Sequence, residues 1–129
     1  MENNLVLADT NVILRYLRED DPKLSPQAKL FFEKAKSGQI KIYFDGVIVA
    51  EVVWVLDSVY KADREQITTQ LTKLISQEWI ICLDKELVLN ALNQFKKVNI
   101  SYIDCWLLAV SKKLTAKIET FDLKLKKQL

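Results

Sequence analysis

Leu5-Val6-Leu7-Ala8-Asp9-Thr10-Asn11-Val12-Ile13-Leu14-Arg15-Tyr16-Leu17 decides the fold class. Residues 5–8 are an unbroken apolar run that stops at an acid, the pattern of a short strand buried on both faces. Thr10 and Asn11 offer helix-capping groups, and Val12, Ile13, Tyr16 and Leu17 then recur at helical spacing. A buried strand running straight into an amphipathic helix is the opening half of a β-α-β unit. Such a unit implies a parallel sheet, because only a crossover can bring the next strand back in the same direction.

The rest of the chain repeats the theme. Ser25-Pro26 reads as an N-cap followed by a proline in the first helical turn, with Gly38 closing that helix. Residues 40–44 read as a second strand. Residues 46–60 are too long for a strand and read as a buried helix. Asp63 caps a helix with Ile67, Leu71, Leu74 and Ile75 on one face, and residues 79–83 read as a third strand. Residues 85–97 and about 101–114 are two further helices, residues 117–121 a fourth strand, and a short basic helix ends the chain. The order is βααβααβααβ, with helices expected on both faces of a parallel sheet.

Composition narrows the chemistry. At 129 residues the chain is expected to form one domain, residues 1–129. With only 2 glycines and 2 prolines, an all-β barrel and a glycine-rich phosphate loop are both excluded. There is no histidine, which removes the Ser-His-Asp and Cys-His mechanisms and nearly all catalytic zinc sites. Cys82 and Cys105 lie far apart in apolar runs and read as buried free thiols of a reducing compartment. Catalysis therefore has to rest on carboxylates, hydroxyls or lysines. The net charge of +2 is too small to mark a nucleic-acid binder, although Lys112, Lys113, Lys117, Lys124, Lys126 and Lys127 crowd the final stretch against only Glu119 and Asp122. Met1-Glu2-Asn3-Asn4 lacks the basic opening of a secretory signal, and no apolar run has the length of a membrane span.

Each expected strand ends in an aspartate: Asp9, Asp45, Asp84 and Asp122. Strand carboxyl ends are where open α/β sheets place their sites, yet an aspartate before a helix is equally an N-cap. The cap reading is favoured for Asp45 and Asp84; for Asp9 and Asp122 both stay open. Glu51 is the only charge between Val47 and Leu56, and Val47, Ile48, Trp54 and Val55 surround it at helical spacing. Burial there would demand a partner, which a lysine or solvent at the helix edge could supply. Ser101-Tyr102-Ile103-Asp104 fits a capping box, so Asp104 reads as a cap before it reads as a ligand. A group of such carboxylates suits Mg²⁺ or Mn²⁺, hard cations that need no imidazole.

Four segments in order resemble the PIN-domain ribonucleases, and more narrowly the VapC-type toxins of bacterial toxin–antitoxin pairs: Leu7-Ala8-Asp9-Thr10-Asn11, Ala50-Glu51-Val52-Val53-Trp54-Val55-Leu56, Ile103-Asp104 and Thr120-Phe121-Asp122. The resemblance covers the whole chain. It implies a three-layer α/β/α sandwich about a parallel sheet of four or five strands. It also implies a cytoplasmic metal-dependent endoribonuclease whose acidic quartet is Asp9, Glu51, Asp104 and Asp122, holding Mg²⁺ or Mn²⁺. Thr10, Asn11 and Thr120 are the implied accessory polar positions. RNA as substrate, a small cognate antitoxin and a homodimer are the implied partners. Two departures stand out: Asp45-Gly46 occupies the place where the family often has a proline, and Cys105-Trp106 is bulkier than the usual small residues after the third acid. A receiver-like phosphate-handling domain and a non-catalytic interaction module are the competing readings. The first wants paired acids after the first strand, where this chain has Asp9-Thr10-Asn11.

Overall fold

The computed structural model describes residues 4–129. The reading of the chain's first residues as leader-free therefore falls mostly outside it. Three strands form: β1 (Leu5–Leu7), β2 (Lys41–Tyr43) and β3 (Ile80–Ile81). All pair in parallel in the order β1-β2-β3. Backbone N–H groups of Lys41 and Ala8 donate to the Asn4 and Tyr43 carbonyls at 3.0 Å, and Ile42 N–H donates to the Trp79 carbonyl at 2.9 Å. Ile42 and Phe44 are fully buried, so the middle of the sheet anchors the core.

Helices α1 (Thr10–Arg18) and α2 (Leu24–Lys36) connect β1 to β2. Asp9, and not Thr10 or Asn11, caps α1 by accepting the Thr10 N–H. The second helix starts one residue before Ser25, without a side-chain cap on its N-cap residue Lys23. Asp21 accepts the N–H groups of Lys23 and Leu24 instead, and the Ser25 hydroxyl donates to the Arg15 carbonyl at 2.8 Å. Ser25 thus ties α2 to α1, a role its dipeptide with proline does not disclose. Gly38 does end α2, at φ +86°, a conformation that favours glycine. Tyr16 stacks on Phe32 with ring centroids 3.9 Å apart, fastening the two helices across the core.

The long apolar segment after β2 is a helix, but of two kinds. Helix α3 (Gly46–Trp54) gives way to a π-helical turn at Val55–Val59. Arg15 donates to the Tyr60 hydroxyl at 2.7 Å, and the Arg18 guanidinium lies 4.2 Å from the Tyr60 ring centroid, so the end of α1 holds the end of this turn. Trp54, expected in the core, is 60% exposed, whereas Phe32 is fully buried and Phe31 and Trp106 are half-buried. Helix α4 (Arg64–Ile75) opens at Asp63, which accepts the Gln66 N–H. After β3 come α5 (Lys85–Lys97), α6 (Tyr102–Leu114) and a short α7 (Leu123–Lys126).

The expected fourth strand is not formed, so the sheet has three strands among the described residues and not four or five. Thr115 turns the chain out of α6 in the left-handed region, and the Ser111 hydroxyl donates to the Ala116 carbonyl. Residues 116–121 then run without regular structure, and Phe121 is 93% exposed. The physical reason lies in the segment itself. Lys117-Ile118-Glu119-Thr120-Phe121 has only two apolar residues, Ile118 half-buried and Phe121 exposed, so little apolar burial holds it to the sheet once Thr115 has turned the chain out of α6.

Arg64 joins α4 to the end of α5: its guanidinium donates to the carbonyls of Phe95 and Val98 at 3.0 Å each and lies over the Phe95 ring at 3.9 Å. Arg64→Ala leaves the last carbonyls of α5 without those donors and removes the packed stem. It is expected to cost about 1–3 kcal/mol of unfolding free energy by urea titration.

Candidate active site

The four quartet acids sit on four separate elements. Asp9 follows β1 and caps α1; its Oδ1 accepts the Thr10 N–H at 2.8 Å. Asp122 caps α7 by accepting the Leu125 N–H at 3.0 Å, while its own N–H donates to the Thr120 hydroxyl. These two acids are therefore N-caps, the bland alternative left open for them, and Thr120 serves a local turn. Glu51 stands in the middle of α3 and is exposed. It meets solvent at the helix edge, so the burial argument for a partner does not apply. Asp104 lies half-buried in the first turn of α6. The capping box there is only half made: the Ser101 hydroxyl accepts the Asp104 N–H at 3.1 Å.

Glu51 and Asp104 share a property that the caps lack. Among the described residues neither carboxylate takes a hydrogen bond or an ion pair. Their helices, α3 and α6, pack together, and α3 also packs on α1, which begins beside Asp9. Thr10 is 4% exposed and its hydroxyl is buried without a partner. Asn11 is exposed and lines a groove of about 340 Å³ with Leu7, Val12, Arg15, Leu24 and Phe31.

The donor set suits a hard divalent ion, being oxygen throughout. The grouping does not: among the described residues no three carboxylate or thiol side chains are gathered so as to hold a metal. Binding one would require the acids to close in from these positions.

A second polar cluster occupies the carboxyl ends of β2 and β3. Asp45 caps α3, accepting the Val47 N–H at 3.2 Å, and also accepts the Tyr43 hydroxyl at 2.6 Å. That bond, the largest cause, raises the Tyr43 phenol to about 12. Asp84 does not cap its own helix. Its two oxygens accept the Gly46 N–H from 3.2 and 3.3 Å, placing its negative charge at the start of α3. The Cys82 thiol donates to the same carboxylate at 3.4 Å. A Cβ on Gly46 would lie 2.8 Å from Asp84 Oδ2 and 3.1 Å from the Trp106 ring, so any larger residue obliges these two side chains to move. Sequence reasoning set Asp84 aside as a cap and gave Tyr102 no role. The signal for Asp84 was its place at a strand end; for Tyr102 there was none beyond its place in the capping box.

Both cysteines are free and buried, as expected. Burial, followed by the negative charge and hydrogen bond of Asp84, pushes the Cys82 thiol up to about 12; burial pushes Cys105 up to about 11. Both are thus protonated at neutral pH and poor nucleophiles. Their folded pKa values exceed the ordinary value of 9.0, so the unfolded chain loses these protons first as pH rises. The associated stability is complete below about pH 9 and declines toward pH 11–12. Melting temperature measured across that range should fall with a slope that is shallower in Cys82→Ala than in the parent.

Comparison with known proteins agrees with the segment-by-segment resemblance. The family model described as "PIN domain" matches residues 6–128. A protein named VapC ribonuclease from Aquifex aeolicus (strain VF5) is 25% identical over 122 residues, which cover 94% of this chain and 90% of that protein. No solved structure gives a significant match.

Proposed function

The chain belongs to the PIN domain family, and from that premise we propose that it is an endoribonuclease, the toxin of a toxin–antitoxin pair. The observation that carries the reading is the pair of acids, Glu51 and Asp104, without partners among the described residues, on two helices packed together, one of which also packs on α1. Glu51 is exposed, and Asp104, half-buried in the first turn of α6, is favoured there by the helix dipole alone. The similarity to a protein named VapC ribonuclease supports RNA as the substrate.

Asp9, Glu51, Asp104 and Asp122 are the catalytic set in this reading. Carboxylates repel a phosphodiester, and divalent Mg²⁺ or Mn²⁺ would supply the counter-charge once these acids closed in around it. Such an ion supplies Lewis acidity and a more acidic water. The chain's own part is to present oxygen: Asp104, half-buried, meets the substrate in a less polar setting than exposed Glu51, and a carboxylate of the set receives the attacking water's proton. The buried Thr10 hydroxyl lies next to Asp9 along the chain as the accessory donor. Asn11 and Thr120 are the other accessory positions, the latter through the turn that carries Asp122.

The exposed lysines 112, 113, 117, 124, 126 and 127 are the counterpart for the RNA backbone. Lys113 pairs with Glu86 at 3.7 Å, and the others form no ion pair among the described residues. No helix of the described residues is long and apolar enough to cross a membrane. A cognate antitoxin and a second copy of the chain are the protein partners of this reading. Light scattering of the purified protein, with and without any small co-purifying protein, tests both.

Cleavage of end-labelled RNA is expected in Mn²⁺ or Mg²⁺ and not in EDTA. Asp104→Asn is expected to lower the rate by about 100-fold with only a small fall in melting temperature, since among the described residues the lost charge has no partner beyond the dipole of α6. Parent-like cleavage by this variant would remove Asp104 from the set, and absence of cleavage by the antitoxin-free parent would favour the non-catalytic interaction module. Replacing Lys124, Lys126 and Lys127 with alanine should weaken binding to single-stranded RNA and reduce the slope of log K against log[salt] by about 2, at roughly 0.7 per lost phosphate contact.

A further inference from the structure

Between α3 and α6 lies a pocket of about 280 Å³, lined by Gly46, Val47, Ala50, Asp84, Tyr102, Ile103 and Trp106. It is just below the range of roughly 300–1,000 Å³ that holds drug-sized ligands, which suits a single heterocycle. Its walls are mostly apolar, with the half-buried indole of Trp106 on one side. Two polar groups belong to it. Asp84 is half-buried and accepts one N–H and one thiol, which leaves acceptor capacity on its oxygens. Tyr102 is 5% exposed, and its hydroxyl is buried with no hydrogen-bond partner. An orphaned buried hydroxyl costs free energy unless something supplies its partner.

We propose that this pocket receives one unstacked base of the RNA, and that the base is guanine. The inference rests on the endoribonuclease reading for its source of ligand. A carboxylate excludes a phosphate and seeks N–H donors. Guanine alone among the four RNA bases offers two adjacent donors, N1–H and N2–H, on the edge that also carries the O6 acceptor. Asp84 takes the donors, a shift of the Tyr102 ring brings its hydroxyl, buried in the free protein, to O6, and the indole of Trp106 supplies the aromatic surface on which single-stranded RNA bases are held. The pocket shares its two helices with Glu51 and Asp104: Val47 and Ala50 precede Glu51 by four and one positions, and Ile103 precedes Asp104 by one. A base held here therefore places its own phosphates near the acids. The tight fit of Gly46 against Asp84 and Trp106 keeps the floor of the pocket open, and the bulky Trp106, a departure from the family pattern, becomes part of the recognition.

The test has two arms. In the first, guanosine, adenosine, cytidine and uridine, which carry no phosphate and cannot be cut, are titrated into the full chain and followed by saturation-transfer NMR. Guanosine is expected to bind at least 5-fold more tightly than the others. Tyr102→Phe is expected to lose that margin with no fall in melting temperature, because the hydroxyl it removes is bonded to nothing, and Trp106→Leu is expected to lose binding of all four. In the second arm, cuts in a random-sequence RNA pool are sequenced. The parent should show guanine enriched at one position beside the cut, and the cuts made by Tyr102→Phe should show that enrichment flattened. Equal binding of the four nucleosides, or a preference untouched in Tyr102→Phe, overturns the pocket. Cleavage without guanine enrichment does so too, while leaving the nuclease reading intact. Guanosine preference without any metal-dependent cleavage leaves the pocket standing and removes the nuclease reading.

Discussion

The Gly46 amide proton, held by both oxygens of Asp84, is the contact on which the site end of the molecule depends. It joins the end of β3 to the first residue of α3 through a side chain that stands at the N-cap of α5 and does not cap it. The negative charge sits where the peptide dipoles of α3 are positive, which favours the pairing. The missing Cβ at Gly46 lets Asp84 and the Trp106 ring both close on it. Three elements are thereby set at once: α3 with Glu51, α5 from its first turn, and α6 with Asp104. Asp45, capping α3 from the other side, completes the hold.

The acids divide by what the protein asks of them. Asp9, Asp45, Asp63 and Asp122 each accept an N–H in the first turn of the helix that follows. Among the described residues Glu51 and Asp104 accept nothing, and the protein tolerates them because one is exposed and the other half-buried. Capping and catalysis are compatible for Asp9 and Asp122, since a capping carboxylate uses one oxygen and keeps the other.

Much of the architecture was legible in the sequence. The parallel sheet, the alternation of strands and helices, the Gly38 stop, the Asp45 and Asp63 caps and the two buried thiols all followed from periodicity and capping chemistry. These are local properties, decided within a few residues. What was misread depended on neighbours distant in the chain. Ser25 bonds the Arg15 carbonyl instead of capping its own helix, Trp54 faces out where the apolar run suggested burial, and the helix carrying it relaxes into a π-turn held by Arg15 and Arg18. Residues 117–121 had strand-like composition at best in part, and in the folded chain they leave the sheet.

The sequence by itself determined the class of chemistry and the family: no imidazole, four spaced acids in family order, and strand-to-helix units that force a parallel sheet. Which of those acids stand free, and which are consumed as caps, was decided only by tertiary structure, because a carboxylate's partners are N–H groups brought to it by packing. The same holds for Asp84. Its residue type and strand-end position suggested a cap for the next helix, and the fold turned it 38 residues back along the chain, onto Gly46, where no local pattern could have placed it.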